Sequence, residues 1–585
     1  MSMIAALNDP LHVTNTLPPS PLQSANEGMQ GTAQKTTTCV HQTAPEQSNH
    51  AHFLGQIPEG TSQTVLSFLT RSDTDKLGPV NQTMLRFLHA DGLSTAAFLD
   101  QLEQRQQRGI SMTYAEHQRC RKLIQEESWK QYELRGRNGF HTELPIAKRL
   151  TSIIQHIDCN NGNIGDYELR EIVEAYPNLK SLDLTRHSPI KITDIGLSFI
   201  GKLPHLQSLN LGYQIGLTNV GFAHISRLPL KSLSLEGCDL QDENVRVLGQ
   251  DENSRSFTKL ASTLTHLYLC SNWNLTHEGL SQILGPCLTS LHLEQCTIND
   301  ATAALLATLP LKELNLFESS ITEQGLALLK NLSSLTYLGL GGCDELHEAG
   351  LANFFNSATC PLECLDLSNS AVAGSIMALQ RFPNLTHLNL YNTCLTNDQA
   401  ALLGELRLLT HLNLFGNPDI MPSTIQSLGH LPLKYLNLGT CNKLLNDDGM
   451  NSLIFFSQLE ELVLNYSHEI TGNGLAALAI LPLRRLHLRC CDFSDEDIQT
   501  MAEKLSLQFL DLRAGPGNTH RRRTDKAAQA LSLLPLEHLV LYTMTFPEAE
   551  QRFLKKIISY VEVNNAGVLK RPLVSPFTRP FQINH

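Results

Sequence analysis

The chain has 585 residues, a formal net charge of −12 and a pI near 6.0. That acidic balance excludes a general nucleic-acid or anionic-membrane binder, which would carry a basic surplus. No apolar run is long enough for a transmembrane helix. The opening MSMIAALNDP lacks the basic and apolar regions of a secretory signal.

Residues 1–52 are rich in Ser, Thr, Pro, Gln, Asn and Ala and poor in large apolar residues. Such a segment cannot bury enough surface to offset its ordering entropy, so a disordered start is expected. Residues 53–95 change character. Val65, Leu66, Leu69, Leu77, Val80, Met84, Leu85 and Leu88 recur at helical spacing. Residues 96–150 read as a charged helical connector. Leu150, Ile153, Ile154 and Ile157 are expected to begin the core of a packed unit over 151–545.

From Leu179 onward one pattern dominates. L-x-x-L-x-L occurs fifteen times, beginning at Leu179, Leu206, Leu230, Leu264, Leu288, Leu311, Leu335, Leu362, Leu385, Leu409, Leu433, Leu459, Leu483, Leu507 and Leu536. The period of about 24 residues predicts an α/β leucine-rich-repeat solenoid, or horseshoe, of about 15 repeats. The second half of each copy also repeats, as in ITDIGLSFIGKLPHL (192–206) and ITGNGLAALAILPL (470–483). The Thr is a helix N-cap, the following Asp or Glu suits the helix dipole, and the Gly is expected to let the first turn approach the strand. Two insertions break the period, at 247–262 and 513–530. Residues 546–561 read as a terminal helix, with Pro547 at its first position, closing the open core within a cap and tail over 546–585.

Cys238, Cys296, Cys343, Cys441 and Cys491 each stand three residues after the third leucine of their copy. Other copies place Asn272, Asn417, Ser319, Ser370, Ser467 or Thr393 there. This slot is expected to turn inward and meet backbone groups of the turn. Its exchange with Asn and Ser implies free thiols in a reducing compartment. Five Asn-x-Ser/Thr sequons, at Asn81, Asn274, Asn331, Asn384 and Asn465, are accordingly read as unused.

The period, the cysteine slot and the I-T-D-x-G-L half-copy resemble the cysteine-containing class of leucine-rich repeats, including GALA-like bacterial variants. In that class the repeats often follow an F-box. Residues 57–80 are similar to one: Ile57 and Pro58, then Val65, Leu66 and Leu69, then Asp73, Leu77 and Val80 fall at the family's spacing. Departures are Glu59, displaced by one, Thr61 and Thr74 at usually apolar positions, and Met84 where Trp is common. The resemblance implies a small all-α F-box-like region. There Ile57, Pro58, Val65, Leu66, Leu69, Leu77 and Val80 would bind the Skp-type subunit of a Skp/cullin/F-box ubiquitin ligase, while the repeats hold a target protein. The Ser/Thr/Pro-rich start also resembles the export signals of bacterial effectors, which implies action in host cytoplasm. The other reading is a binding or inhibitor scaffold with no ubiquitin role.

Side chains between and just after the leucines face the concave side. Tyr391, Phe415 and Tyr435, beside Asn389, Asn413 and Asn437, are hot-spot material for a protein target. Glu236, Glu294, Glu313 and Glu318 lie early, and Arg485, Arg489 and Arg513 late, near Arg521, Arg522 and Arg523. An acidic segment of a target would suit the late end. His387 and His411 share a column, but no further ligands are evident and no metal is expected. No nucleophile elbow, P-loop or dinucleotide fingerprint occurs, and Cys490–Cys491 reads as packed thiols. The expectation is a non-enzymatic protein without cofactor, monomeric outside its complex.

Overall fold

The computed structural model describes residues 95–121, 150–160, 163–186, 191–251, 256–513, 524–542, 548–558 and 560–564. All of them belong to the compact unit Glu59–His585. The N-terminal 1–52, the F-box-like residues 57–88, Pro547 and Arg521–Arg523 lie outside them.

Among the described residues eighteen strands form one sheet, and each pairs in parallel with the next along the chain. Most are three residues long and centred on the second leucine of a copy, as in His387–Asn389 and His411–Asn413. Alternation sends that leucine inward and its two neighbours to the concave side. The first and third leucines flank it, and Leu385, Leu388 and Leu390 are all buried. Repeated from copy to copy, these residues form one continuous core.

The sheet starts before the first leucine copy. Met112–Thr113 pairs with Ile157 and Asp158, and Phe98, Leu99 and Leu102 of the helix Thr95–Gln107 share the same core. Leu150, Ile154 and Ile157 are buried there, and Ile153 packs partly buried against it. At the other end the expected single helix is divided. Glu548–Ile557 is helical, with Leu554 buried, but Tyr560–Asn564 is a strand that pairs with His538–Tyr542. The physical reason is the alternating Y-V-E-V run beside an open sheet edge, whose unpaired backbone groups attract a further strand.

Helical segments cover the convex side. Thr193, Thr218, Thr276, Thr322 and Thr471 each cap a helix by accepting a backbone N–H two residues on. The copy at Ala373–Arg381 is instead a 3-10 helix. Val372 stands there at the cap and supplies no side-chain acceptor.

The acidic residue after each cap has a role beyond the helix dipole. Asp194 Oδ1 and Oδ2 accept the backbone N–H (2.9 Å) and hydroxyl (2.5 Å) of Thr218, the cap one copy later. Asp166 does the same for Thr193, Asp242 for Thr276 and Asp447 for Thr471. A ladder of carboxylates thus runs along the helix starts. It also explains the repeated glycine, which lies against the neighbouring copy's carboxylate rather than against the strand. A Cβ on Gly196, Gly221, Gly279 or Gly474 would collide with Asp166, Asp194, Asp242 or Asp447. Where the carboxylate is replaced by Asn219 or Asn397, the next copy has Asn244 or Thr424 in place of glycine, and these hydrogen-bond the amide instead.

Candidate protein-binding face

Three columns of side chains run across the concave sheet and its exit turns. In the central copies the residue before the second leucine is His387, His411 and Tyr435, in register. The residue after it is Asn389, Asn413 and Asn437. The residue after the third leucine is Tyr391, Phe415 and Gly439.

Tyr391 and Phe415 stack at 5.0 Å with 14° between their planes. Phe415 leans over Gly439, where a Cβ would collide with its ring, and meets Tyr466 edge-on at 6.1 Å. Gly439 therefore extends the aromatic strip by one copy, and Tyr466 is a member that sequence reading missed. Tyr435 is not part of this strip. It occupies the histidine column, buried against Val463, with its ring 6.0 Å from His411. Asn389 and Asn413 are buried too. Their Oδ1 atoms accept the backbone N–H of Tyr391 (3.1 Å) and Phe415 (3.0 Å), and Asn389 Nδ2 donates to Asp366 (3.0 Å). These amides shape the turns that carry the aromatics.

His387 and His411 stack at 4.0 Å, nearly parallel. Burial lowers the pKa of both, His411 to about 4, which keeps them neutral near pH 7. Parallel rings aim their lone pairs side by side rather than at a common point. Among the described residues no group of three or more His, Cys, Asp or Glu is placed to hold a metal ion.

Two of the three late arginines already have acidic partners. Arg485 pairs with Glu461 at 2.9 Å and lies 4.4 Å over the ring of Phe509. Glu461 also meets His487 at 2.9 Å. Burial alone would raise its pKa, but His487 and Arg485 outweigh that and hold it below the ordinary value. Arg513 Nε reaches both oxygens of Asp511, at 2.9 and 3.0 Å. Arg489 is half-buried, and its backbone N–H donates to Asn465 at 2.8 Å. His411, Tyr435, Glu461, Arg485, Phe509 and His538 line part of a hollow of about 520 Å³ here.

In the early copies the glutamates meet neutral donors. Glu236 accepts from Tyr213 Oη, Glu294 from Asn315 (2.6 Å), Glu313 from Ser290 (2.8 Å) and Glu318 from Gln295 (2.6 Å). Beneath them Tyr268, His292 and Tyr337 form a buried stack.

The turn after each strand is held by two devices. The residue two places past the third leucine takes a positive φ, at Tyr213, Ser271, Gln295, Glu318, Asn369, Asn392, Thr440, Tyr466 and Cys490. L side chains adopt this conformation at some cost, and the regular hydrogen bonds of the turn impose it. Asn392 N, for example, donates to Phe415 O of the next copy at 2.7 Å. Residue type alone does not signal this position. The next residue is the inward slot. Cys238, Cys296, Cys343, Cys441 and Cys491 donate to the carbonyls of Leu211, Leu269, Leu316, Leu414 and Leu464, at 3.1–3.3 Å. Asn272 and Asn417 reach the equivalent carbonyls and also accept a backbone N–H, from Leu240 and Leu395.

A protein-family profile described as "Leucine Rich repeat" matches residues 482–502, which span one strand, slot and helix start. That stretch matches a leucine-rich repeat, and the same strand, slot and helix order recurs along the ladder. Solved structures are similar to the chain at low identity. The yeast Rad7–Elc1 complex matches at 17% identity with a TM-score of 0.42, covering 72% of this chain and 92% of that one. The mouse RP105/MD-1 complex matches at 19% and 0.40, covering 70% and 71%. A leucine-rich-repeat protein of Leptospira interrogans matches at 20% and 0.35, covering 67% and 98%. No helix among the described residues is long and apolar enough to cross a membrane.

The repeat slot makes a chemical prediction. Cysteines described in the structure are free thiols, and only Cys287 and Cys394 of them are exposed. Burial pushes Cys238, Cys441 and Cys491 up to about 12, so these slots are not thiolates near neutrality. With an aromatic disulfide reagent at pH 8, Cys287 and Cys394 should react at once, and the slot thiols only as the repeats open. A slot thiol in the native protein labelled as fast as Cys287 would contradict the ladder.

Proposed function

We propose that the chain is a substrate-recruiting adaptor. In this reading Ile57, Pro58, Val65, Leu66, Leu69, Leu77 and Val80 engage a Skp-type subunit of a Skp/cullin/F-box ubiquitin ligase, and the concave repeat face holds a target protein. The observation that carries it is the order of parts: apolar residues at F-box spacing, followed by a continuous parallel ladder. That ladder presents the half-buried strip Tyr391, Phe415 and Tyr466. An apolar helical wedge is all that linker binding requires, and aromatic strips are common anchors at protein interfaces. The adaptor makes no bonds itself. Tyr391, Phe415, Arg485, Arg489 and Arg513 contribute to target contact, while Asn389, Asn413 and Tyr435 support the face from beneath. The export-like start extends the reading to an effector working in host cytoplasm.

The deciding measurement is a pull-down of purified protein with a eukaryotic Skp-type linker. Wild type is retained, and Leu66→Asp with Leu69→Asp reduces retention by about a hundredfold, as expected for two charges in an apolar interface. No retention of wild type leaves a binding or inhibitor scaffold without a ubiquitin role as the better account, since that reading needs only the concave face.

A further inference from the structure

The slot residue Asn272 is buried, and its side chain is bonded to the carbonyls of Leu235, Leu269 and Cys270 and to Leu240 N. The next residue, Trp273, leaves this fixed point outward and is 69% exposed. An indole so open is unusual for a side chain of its size. Beside it lies a hollow of about 310 Å³, lined by Trp273, Gln295, Cys296, Thr297, Glu318 and Ser320. One wall is a preset chain of hydrogen bonds: Ser271 Oγ donates to Gln295 Oε1 (2.8 Å), and Gln295 Nε2 donates to Glu318 Oε2 (2.6 Å). The Glu318 carboxylate is thus oriented before any ligand arrives.

The surroundings carry one sign of charge. From Glu236 to Asn369, no Lys or Arg occupies the three concave columns or the positive-φ position. Glu236 and Glu294 flank Cys270 in one column, each following the third leucine of its copy. Asp239, one copy before Trp273, accepts from Asn274 at 3.0 Å. An exposed indole face next to an oriented carboxylate in a negative field suits a cation with an apolar stem.

We propose that Trp273 and Glu318 form an anchor for an arginine or lysine side chain of a basic segment on a partner protein, its charged head over the indole and directed to Glu318. The proposal rests on the reading of the repeats as a protein-binding surface, not on linker binding. A phosphate-bearing partner would be repelled by the carboxylates, and a purely apolar one would leave Glu318 and Gln295 without solvent.

The test uses full-length protein and a fluorescein-labelled peptide with four arginines spaced by Gly-Ser, read by anisotropy. Trp273→Ala and Glu318→Gln should each weaken binding about tenfold. Trp273→Phe should recover most of the loss, and Trp273→Leu should not. The control substitutions Met377→Ala and Glu503→Gln, at other exposed positions, should change binding less than about twofold. Equal weakening by the controls, or no change with Trp273→Ala, shows only general attraction to an acidic protein and overturns the proposal. The linker is absent from this assay. The Leu66→Asp, Leu69→Asp chain should therefore bind the peptide like wild type, which separates failure of this site from failure of the adaptor reading.

Discussion

Asn417→Ala is expected to destabilise the central repeats by about 2–3 kcal/mol, read as a lower urea midpoint. Asn417 is fully buried. Its Nδ2 donates to Leu390 O (2.8 Å) and Leu414 O (3.0 Å), and its Oδ1 accepts from Leu395 N (2.9 Å) and the Thr393 hydroxyl (3.2 Å). Alanine would leave the Leu395 N–H unsatisfied away from water, at roughly 1–3 kcal/mol, and take one donor each from Leu390 O and Leu414 O, which keep the Thr393 hydroxyl (2.9 Å) and the Cys441 thiol (3.2 Å). Asn417→Cys should fall between the two, because a thiol at this slot reaches one carbonyl, as Cys441 reaches Leu414 O. Hydrogen exchange at the Leu395 amide should speed up in both variants. A urea midpoint unchanged by Asn417→Ala would mean that the slot bonds do not hold the turns.

Gly221→Ala should destabilise by about 2 kcal/mol, although alanine is the better helix former by about 1 kcal/mol. Propensity loses here because the new methyl group would collide with Oδ1 of Asp194, whose two oxygens hold the N–H and the hydroxyl of Thr218. Moving Asp194 aside breaks those charge-assisted bonds and uncaps the helix Asn219–Ile225. The two positions should therefore be strongly coupled. With Asp194→Ala already in place, Gly221→Ala should be neutral or stabilising, giving a coupling energy of about 2 kcal/mol in a double-mutant cycle. Additive effects would show that the glycine serves only its own helix. The same chain contains the natural counterpart, since Asn219 is followed one copy later by Asn244, not glycine.

Much of the solenoid was legible because its determinants are local and repeated. The leucine positions, the inward cysteine slot and the Thr caps follow from period, polarity and side-chain chemistry, and each occupies its expected place. The candidate site was less legible. Tyr435 looks equivalent to Tyr391 and Phe415, yet it stands four residues before the matching position, Gly439, and falls in the buried histidine column. Asn389 and Asn413 look like exposed amides, yet the turn two residues on consumes them. Tyr466 joins the aromatic strip only because Gly439 lets Phe415 lean across one copy. Trp273 has no periodic signal at all.

By itself, then, the sequence determined the repeat, its strand-turn-helix order and the residues that fill its core, because burial of leucine at a fixed period admits one arrangement. It also determined which side-chain chemistries are present on the concave columns. Only the tertiary structure decided which of those side chains are offered to a partner. That choice depends on contacts with residues about one repeat away: a carboxylate against a glycine, a ring across a glycine, an amide on a neighbouring turn. Such pairings have no local pattern, since each is set by the packing of one copy on the next.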